Sequence, residues 1–220
     1  MKGDREVVLE AVRNCQFSLL FASDALKNDY NIVLDAVKTA GLSLQYASHR
    51  LQSTVDIILE AVNNNPDAFQ YASESARDNR DVVFQAVQKS GSCLAYASAG
   101  LKNDKQIVLT AVRQSARLLE HASQTLQADR DILLEVVTKE GDYLERAPAQ
   151  FRSDRELVLA AVTQYAPSIR FASPALRTDP EIMLAVLANP GSPPVPLKRA
   201  RERERRTRSP GNPARNQRGM

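Results

Sequence analysis

The sequence predicts an all-α fold. It is an α-solenoid of tandem 25-residue repeats over residues 4–188, each a long helix followed by a short one, with a disordered basic tail over 189–220. Three observations predict it. A helix-capping residue recurs every 25 positions, at Asp4, Asp29, Thr54, Asn79, Asp104, Asp129, Asp154 and Asp179. Behind each cap, apolar residues fall at offsets 3, 4, 7 and 8, the stripe of an amphipathic helix. After residue 188 the sequence turns Pro- and Arg-rich and loses apolar periodicity.

The long helix comes first in each repeat. With the capping residue as position 0, position 8 is Val in seven copies and Leu187 in the eighth. Positions 4 and 5 are apolar throughout, from Val8 and Leu9 to Met183 and Leu184. The buried face therefore covers more than half the helix, which requires neighbours on two sides. Position 7 is Ala in six copies, small enough for close approach. Acidic residues at position 2 suit the positive helix start, and Pro180 takes the first helical position, where a missing N–H costs nothing. Two registers of capping remain open: position 0 itself, or the residue before it, where Ser153 and Thr178 with Glu156 and Glu181 spell capping boxes.

The short helix follows. It begins near Gly41, Pro66, Gly91, Gly141 or Pro167 and is anchored by apolar residues at positions 15, 18 and 22. Ser at position 19 stops it and caps one more turn. Such a pair buries its apolar face only by stacking, so seven full repeats and a terminal helix form one continuous core. Neither end carries a polar capping repeat. The ends either fray or are covered by another chain or by the tail.

The stretches Asp4–Val12, Gly41–Ser48, Leu101–Asp104 and Asp154–Val162 resemble the repeat family called domain of unknown function 4116. The resemblance rests on eight copies in register over about 185 residues. Thr54, Asn79, His121 and Arg146-Ala147-Pro148 depart from the pattern. The resemblance implies a tandem helical module and no catalytic motif.

Composition excludes several function classes. Two cysteines, Cys15 and Cys93, exclude a disulfide framework and a Cys-rich zinc site; both read as small packing residues. Two histidines, His49 and His121, fall at different repeat positions and read as surface or rim residues. No phosphate-binding, dinucleotide-binding or zinc-protease motif is present. The expectation is a non-enzymatic chain with no catalytic residue, cofactor, metal ligand or small-molecule ligand. No apolar run approaches the ~18 residues of a membrane span. Met1–Asp4 lacks the apolar stretch of a secretory signal. The expected location is intracellular and cytoplasmic, without a membrane partner, or nuclear in a eukaryotic host.

Two surfaces suggest partners. Positions 2, 6 and 9 of the long helix form a stripe of ten carboxylates against three cations, densest in the first half. Glu6, Glu10, Asp35, Asp56, Glu60 and Asp81 there suggest either a solvated face or a docking face for a basic protein partner. The tail carries Lys198, Arg199, Arg201, Arg203, Arg205, Arg206 and Arg208, and with Arg215 and Arg218 against Glu202 and Glu204 it is +7 on a body of −4 in a chain of net +3. It reads as a solvated tail, a nuclear-localisation patch or a nonspecific nucleic-acid arm. A column at position 17, from Phe21 and Tyr46 to Phe171, offers planar groups for packing or for stacking on bases. The function expected is a protein-interaction scaffold, with a nucleic-acid-binding protein as the alternative.

Overall fold

The structure is a computed structural model and describes residues 4–15 and 17–189. All regular structure among the described residues is helical. Eight long helices repeat in register: α1 (Arg5–Asn14), α2 (Tyr30–Thr39), α3 (Val55–Asn64), α4 (Arg80–Lys89), α5 (Lys105–Gln114), α6 (Arg130–Lys139), α7 (Arg155–Gln164) and α8 (Pro180–Ala188). The expected tail, with its seven basic residues at 198–208, lies outside the described residues.

Position 0 is the cap. The side chains of Asp4, Asp29, Asn79, Asp104, Asp129 and Asp179 each accept two backbone N–H groups of the first turn, and Asp154 accepts one. Thr54 stands at the same place but makes no capping bond; its hydroxyl donates to the Arg50 carbonyl. The alternative register is not used. Ser153 and Thr178 are the last residues of 3₁₀ turns, so they cannot cap.

The short segment is a 3₁₀ helix rather than an α-helix, as at Gly41–Tyr46, Pro66–Tyr71, Gly91–Tyr96 and Ala116–His121. Its anchors at positions 12, 15 and 18 are three residues apart, the period of a 3₁₀ turn. Gly41, Leu44 and Ala47 are all buried by that spacing. One further turn completes the repeat. It is α-helical at Asp24–Lys27, Glu74–Arg77 and Gln124–Gln127, and 3₁₀ at Leu51–Ser53, Leu101–Asn103 and Phe151–Ser153.

Over the first six repeats this alternation marks a second period of 50 residues, which the seventh, 3₁₀ at Leu176–Thr178, does not continue. Gly41, Gly91 and Gly141 open the short segments of alternate repeats. In each case an amide from the next repeat accepts the glycine N–H, from Asn64 at 2.7 Å, Gln114 at 2.6 Å and Gln164 at 2.7 Å. The amide nitrogen of Asn64 also donates to the Lys38 carbonyl at 2.9 Å, and that of Gln114 to the Val87 carbonyl at 2.6 Å. Side chain and backbone are thus clamped across the seam. A Cβ on Gly41 or Gly141 would lie 2.3 Å from the carbonyl oxygen of Ala61 or Ala161, so the seam closes only on glycine.

Each interior long helix packs against the long helices before and after it and against the short segment of its own repeat. Positions 3, 4, 7 and 8 of the interior helices α2–α7 form one continuous buried cluster. Backbone bonds stitch the seams on the side of the short segments: Ser48, Ser73, Ser98, Ser123 and Ser173 donate to the carbonyls of Lys27, Gln52, Arg77, Lys102 and Arg152 at 2.9–3.0 Å. Pro148 occupies this place in the sixth repeat and has no N–H to give.

Gly41→Ala should destabilise the array by about 1–3 kcal/mol, because a backbone carbonyl must move to admit the methyl group. Gly100→Ala should do the reverse. Gly100 has φ −61° and its Cβ would meet nothing closer than the Ser98 hydroxyl at 3.9 Å. The gain is about 0.4–1 kcal/mol from the unfolded chain, and thermal denaturation separates the two variants.

Candidate interaction surface

The long helices present positions 1, 2, 6 and 9 outward, and cations at position 1 reach across the seam. Arg80 Nε lies 2.8 Å from Asp104. Lys105 bridges Asp129 at 3.0 Å and Asp131 at 2.7 Å. Arg130 bridges Asp154 at 2.7 Å and Glu156 at 2.6 Å, and Arg155 binds Asp179 and Glu181 in the same manner. Arg5 reaches Asp29 at 3.3 Å. The capping aspartate therefore has two tasks: one oxygen holds its own helix start, and the carboxylate binds the cation of the preceding repeat. A second rung joins position 9 to position 6 of the next repeat, as Arg13–Asp35 at 2.9 Å and Arg113–Glu135 at 3.3 Å.

The rungs hold these carboxyls in the ionised form. The guanidinium of Arg130 keeps the Asp154 carboxyl below its ordinary pKa, against the opposing effect of burial. The backbone N–H of Ile182 and then Arg155 do so for Asp179. Burial pushes the Asp104 carboxyl up, but Arg80 and the Ile107 N–H outweigh it.

The six carboxylates singled out by the sequence divide accordingly. Asp35 is half-buried and paired with Arg13. Glu10 is exposed and accepts the Asn14 amide at 2.8 Å. Glu6 starts α1 and is exposed. Asp56, Glu60 and Asp81 form no ion pair among the described residues. The cause is legible at position 1: Tyr30 and Val55 stand where Arg80, Lys105, Arg130 and Arg155 stand later, and neither carries a charge for Asp56 or Asp81. Lys38 occupies the place from which Arg13 and Arg113 reach their partners, yet makes no ion pair with Glu60.

The stripe is thus not uniformly acidic. Five position-1 cations offset most of its charge, and the carboxylates left without an ion pair include Asp56 and Glu60 on α3 and Asp81 on α4, the last on the same helix as Arg80. The signal for this lies at position 1, one column from position 2, but the pairing itself spans 24 or 26 residues and needs the register of neighbouring helices.

The remaining candidates have structural tasks. Tyr46, Tyr71, Tyr96 and Phe171 are half-buried and packed against the core, and the Tyr96 hydroxyl donates to Asp67 at 3.1 Å. The junction cations Arg77, Arg152 and Arg177 donate to the carbonyls of Ala72, Ala147 and Ala172. Cys93 is buried and its thiol is pushed up to about 12 by burial, with Asp67 adding to the effect. Cys15 is exposed at the end of α1, contrary to the packing role expected from the sequence. His49 is exposed and His121 sits half-buried beside Glu120. No group of three or more His, Cys, Asp or Glu side chains among the described residues is placed to hold a metal ion. No helix among them is long and apolar enough to cross a membrane.

The profile of a family described as a domain of unknown function (DUF4116) matches residues 4–52, 31–75, 79–127 and 129–177. The matches at 79–127 and 129–177 each cover one glycine–amide doublet of repeats. No curated protein matches the chain, and no solved structure does.

Asp154→Asn should keep the cap, as Asn79 shows, and lose the rung, costing under about 1 kcal/mol at neutral pH because the pair is exposed. Asp154→Ala loses the cap as well, for about 1 kcal/mol more. The folded pKa values of Asp104, Asp154 and Asp179 are lowered. Their contribution is therefore complete above the unfolded value of about 3.9 and is lost as pH falls through the lower folded values. The melting temperature should fall in that acid window, and less steeply in Asp154→Asn than in the natural chain.

Proposed function

The chain belongs to the family described as a domain of unknown function (DUF4116), and for this array we propose a non-enzymatic scaffold that binds a basic protein partner on the outward face of α3 and α4. The single observation that supports the reading is the interruption of the rungs at Tyr30 and Val55. It leaves Asp56 and Asp81 on adjoining helices without an ion pair among the described residues, and Glu60 between them makes none with Lys38 either. Asp131, Glu135, Glu156 and Glu181 on the later helices are occupied by cations of the preceding repeat, so they have less to offer a partner. Potential of one sign on a rigid helical face favours encounter with a basic segment and makes binding salt-dependent. Extended repeat surfaces suit such contacts, which is a fold-level analogy.

The reading is tested by fluorescence anisotropy with a labelled oligolysine peptide at low salt. Asp56→Asn/Glu60→Gln/Asp81→Asn should weaken binding about tenfold, from roughly 0.5 kcal/mol for each exposed pair. Asp131→Asn/Glu156→Gln, which removes partners already bound by Lys105 and Arg130, should leave it nearly unchanged. Equal loss in both variants would remove the docking face. A single-stranded RNA probe addresses the nucleic-acid alternative: tight, salt-sensitive binding of RNA by the full chain, with none of oligolysine, would favour that alternative.

A further inference from the structure

The two ends of the array expose apolar side chains that interior copies bury. Val7 is 50 % exposed, whereas position 3 of the later copies, from Ile32 to Ile182, is 0–5 % exposed. Phe21 is 64 % exposed, while its equivalents Tyr46, Tyr71 and Tyr96 are half-buried. At the other end Met183, Leu184 and Leu187 are 38 %, 65 % and 69 % exposed. Positions 4 and 8 of copies one to seven are only 0–7 % exposed. Position 3 is therefore covered from the preceding repeat, and positions 4, 5 and 8 from the following side. The two end faces are the two halves of the seam that recurs through the array.

We infer that α8 of one chain takes α1 of a second copy in the place the next long helix fills inside the array, so that chains join head to tail. The occupant is specified by continuity with the seam already present between neighbouring repeats. Apolar complementarity is one part of that continuity, and the amide clamp is the other. Asn14 holds the clamp position in the first repeat, but its amide turns back on Glu10 of its own helix. Asn64 and Asn189 instead donate from the same position to the carbonyls of Lys38 and Thr163, at position 9 of the preceding repeat. In the joined pair, Asn14 would find that acceptor at Ala188 of the other copy. Pro180 supplies no cation for Asp4 or Glu6, so this seam has no rung. The seams behind Tyr30 and Val55 also lack it and remain packed, so the rung is dispensable. A two-fold contact would set α8 against α8, a packing with no counterpart in the array.

Such a heterologous contact does not close on itself. Sedimentation of the full chain over a rising concentration series should show dimers and then longer species. Leu187→Glu spoils only the C-terminal face and Val7→Glu only the N-terminal one, so each alone should remain monomeric. Mixed in equal amounts, they should form dimers and stop there, because each variant brings the face the other lacks. That rescue also shows that both variants are folded. Three results would overturn the inference: a natural chain that stays monomeric throughout, as when its own tail covers α8; dimers of either variant alone; or a mixture that stays monomeric while the natural chain associates.

Discussion

The contact between successive long helices is the constraint on which everything else depends. A single repeat has a helix that is apolar over more than half its girth and only a short 3₁₀ segment to cover it. Ile57, Ile58, Ala61 and Val62 of α3 are fully buried because α2 stands on one side and α4 on the other. Each Ile or Val side chain among them is worth about 1.5–3 kcal/mol when buried, and part of that burial is supplied across a seam. Stability is then a sum of neighbour terms rather than the property of one centre. The same logic explains why α1 and α8 differ from the rest. Their sequences follow the interior columns, and Val7, Leu184 and Leu187 are exposed where no further helix stands beside them among the described residues.

The polar groups serve that contact. Helices ten residues long leave many end groups unpaired, and the repeat satisfies them with a fixed set of devices. The position-0 side chain takes the N-terminal amides. The Ser N–H at position 19 takes a carbonyl of the preceding repeat, and long side chains at position 23 take carbonyls of the short segment. Arg77, Arg152, Arg177, Gln52 and Gln127 all perform this last task. A guanidinium and a primary amide are exchangeable there because the acceptor is a neutral carbonyl and only an N–H is required. The positive charge at these junctions is thus not what the structure uses.

Much of this was legible before any coordinates. The period, the caps and the apolar columns are local and repeated eight times, so each copy checks the others. Three features were harder. The 3₁₀ character of the short segment was present in the three-residue spacing of Leu44 and Ala47, but a short apolar run does not distinguish one helical type from another. The 50-residue period was visible in Gly41, Gly91 and Gly141, and again in Asn64, Gln114 and Gln164. Its meaning required knowing that the amide of one repeat meets the glycine of another. The rungs were the least legible, because Arg130 and Glu156 are read as neighbours only once two helices have been set side by side.

The division between seam and surface also explains how one array can carry both a uniform core and a varied face. Replacing Arg or Lys by Tyr30 or Val55 at position 1 removes an exposed ion pair, which costs at most about 1 kcal/mol. Replacing Ile57 or Val62 would remove a buried side chain from a packed seam, at several times that cost. Position 1 is therefore free to change while positions 3, 4, 7 and 8 are not. Every exchange of a cation for a neutral residue there releases the carboxylates of the next repeat from internal pairing. The charge pattern of the outward face is consequently written in a column that hardly touches the fold. The unpaired Asp56 of α3 and Asp81 of α4 follow from two neutral residues at position 1, Tyr30 and Val55, that the stacked core has no reason to resist.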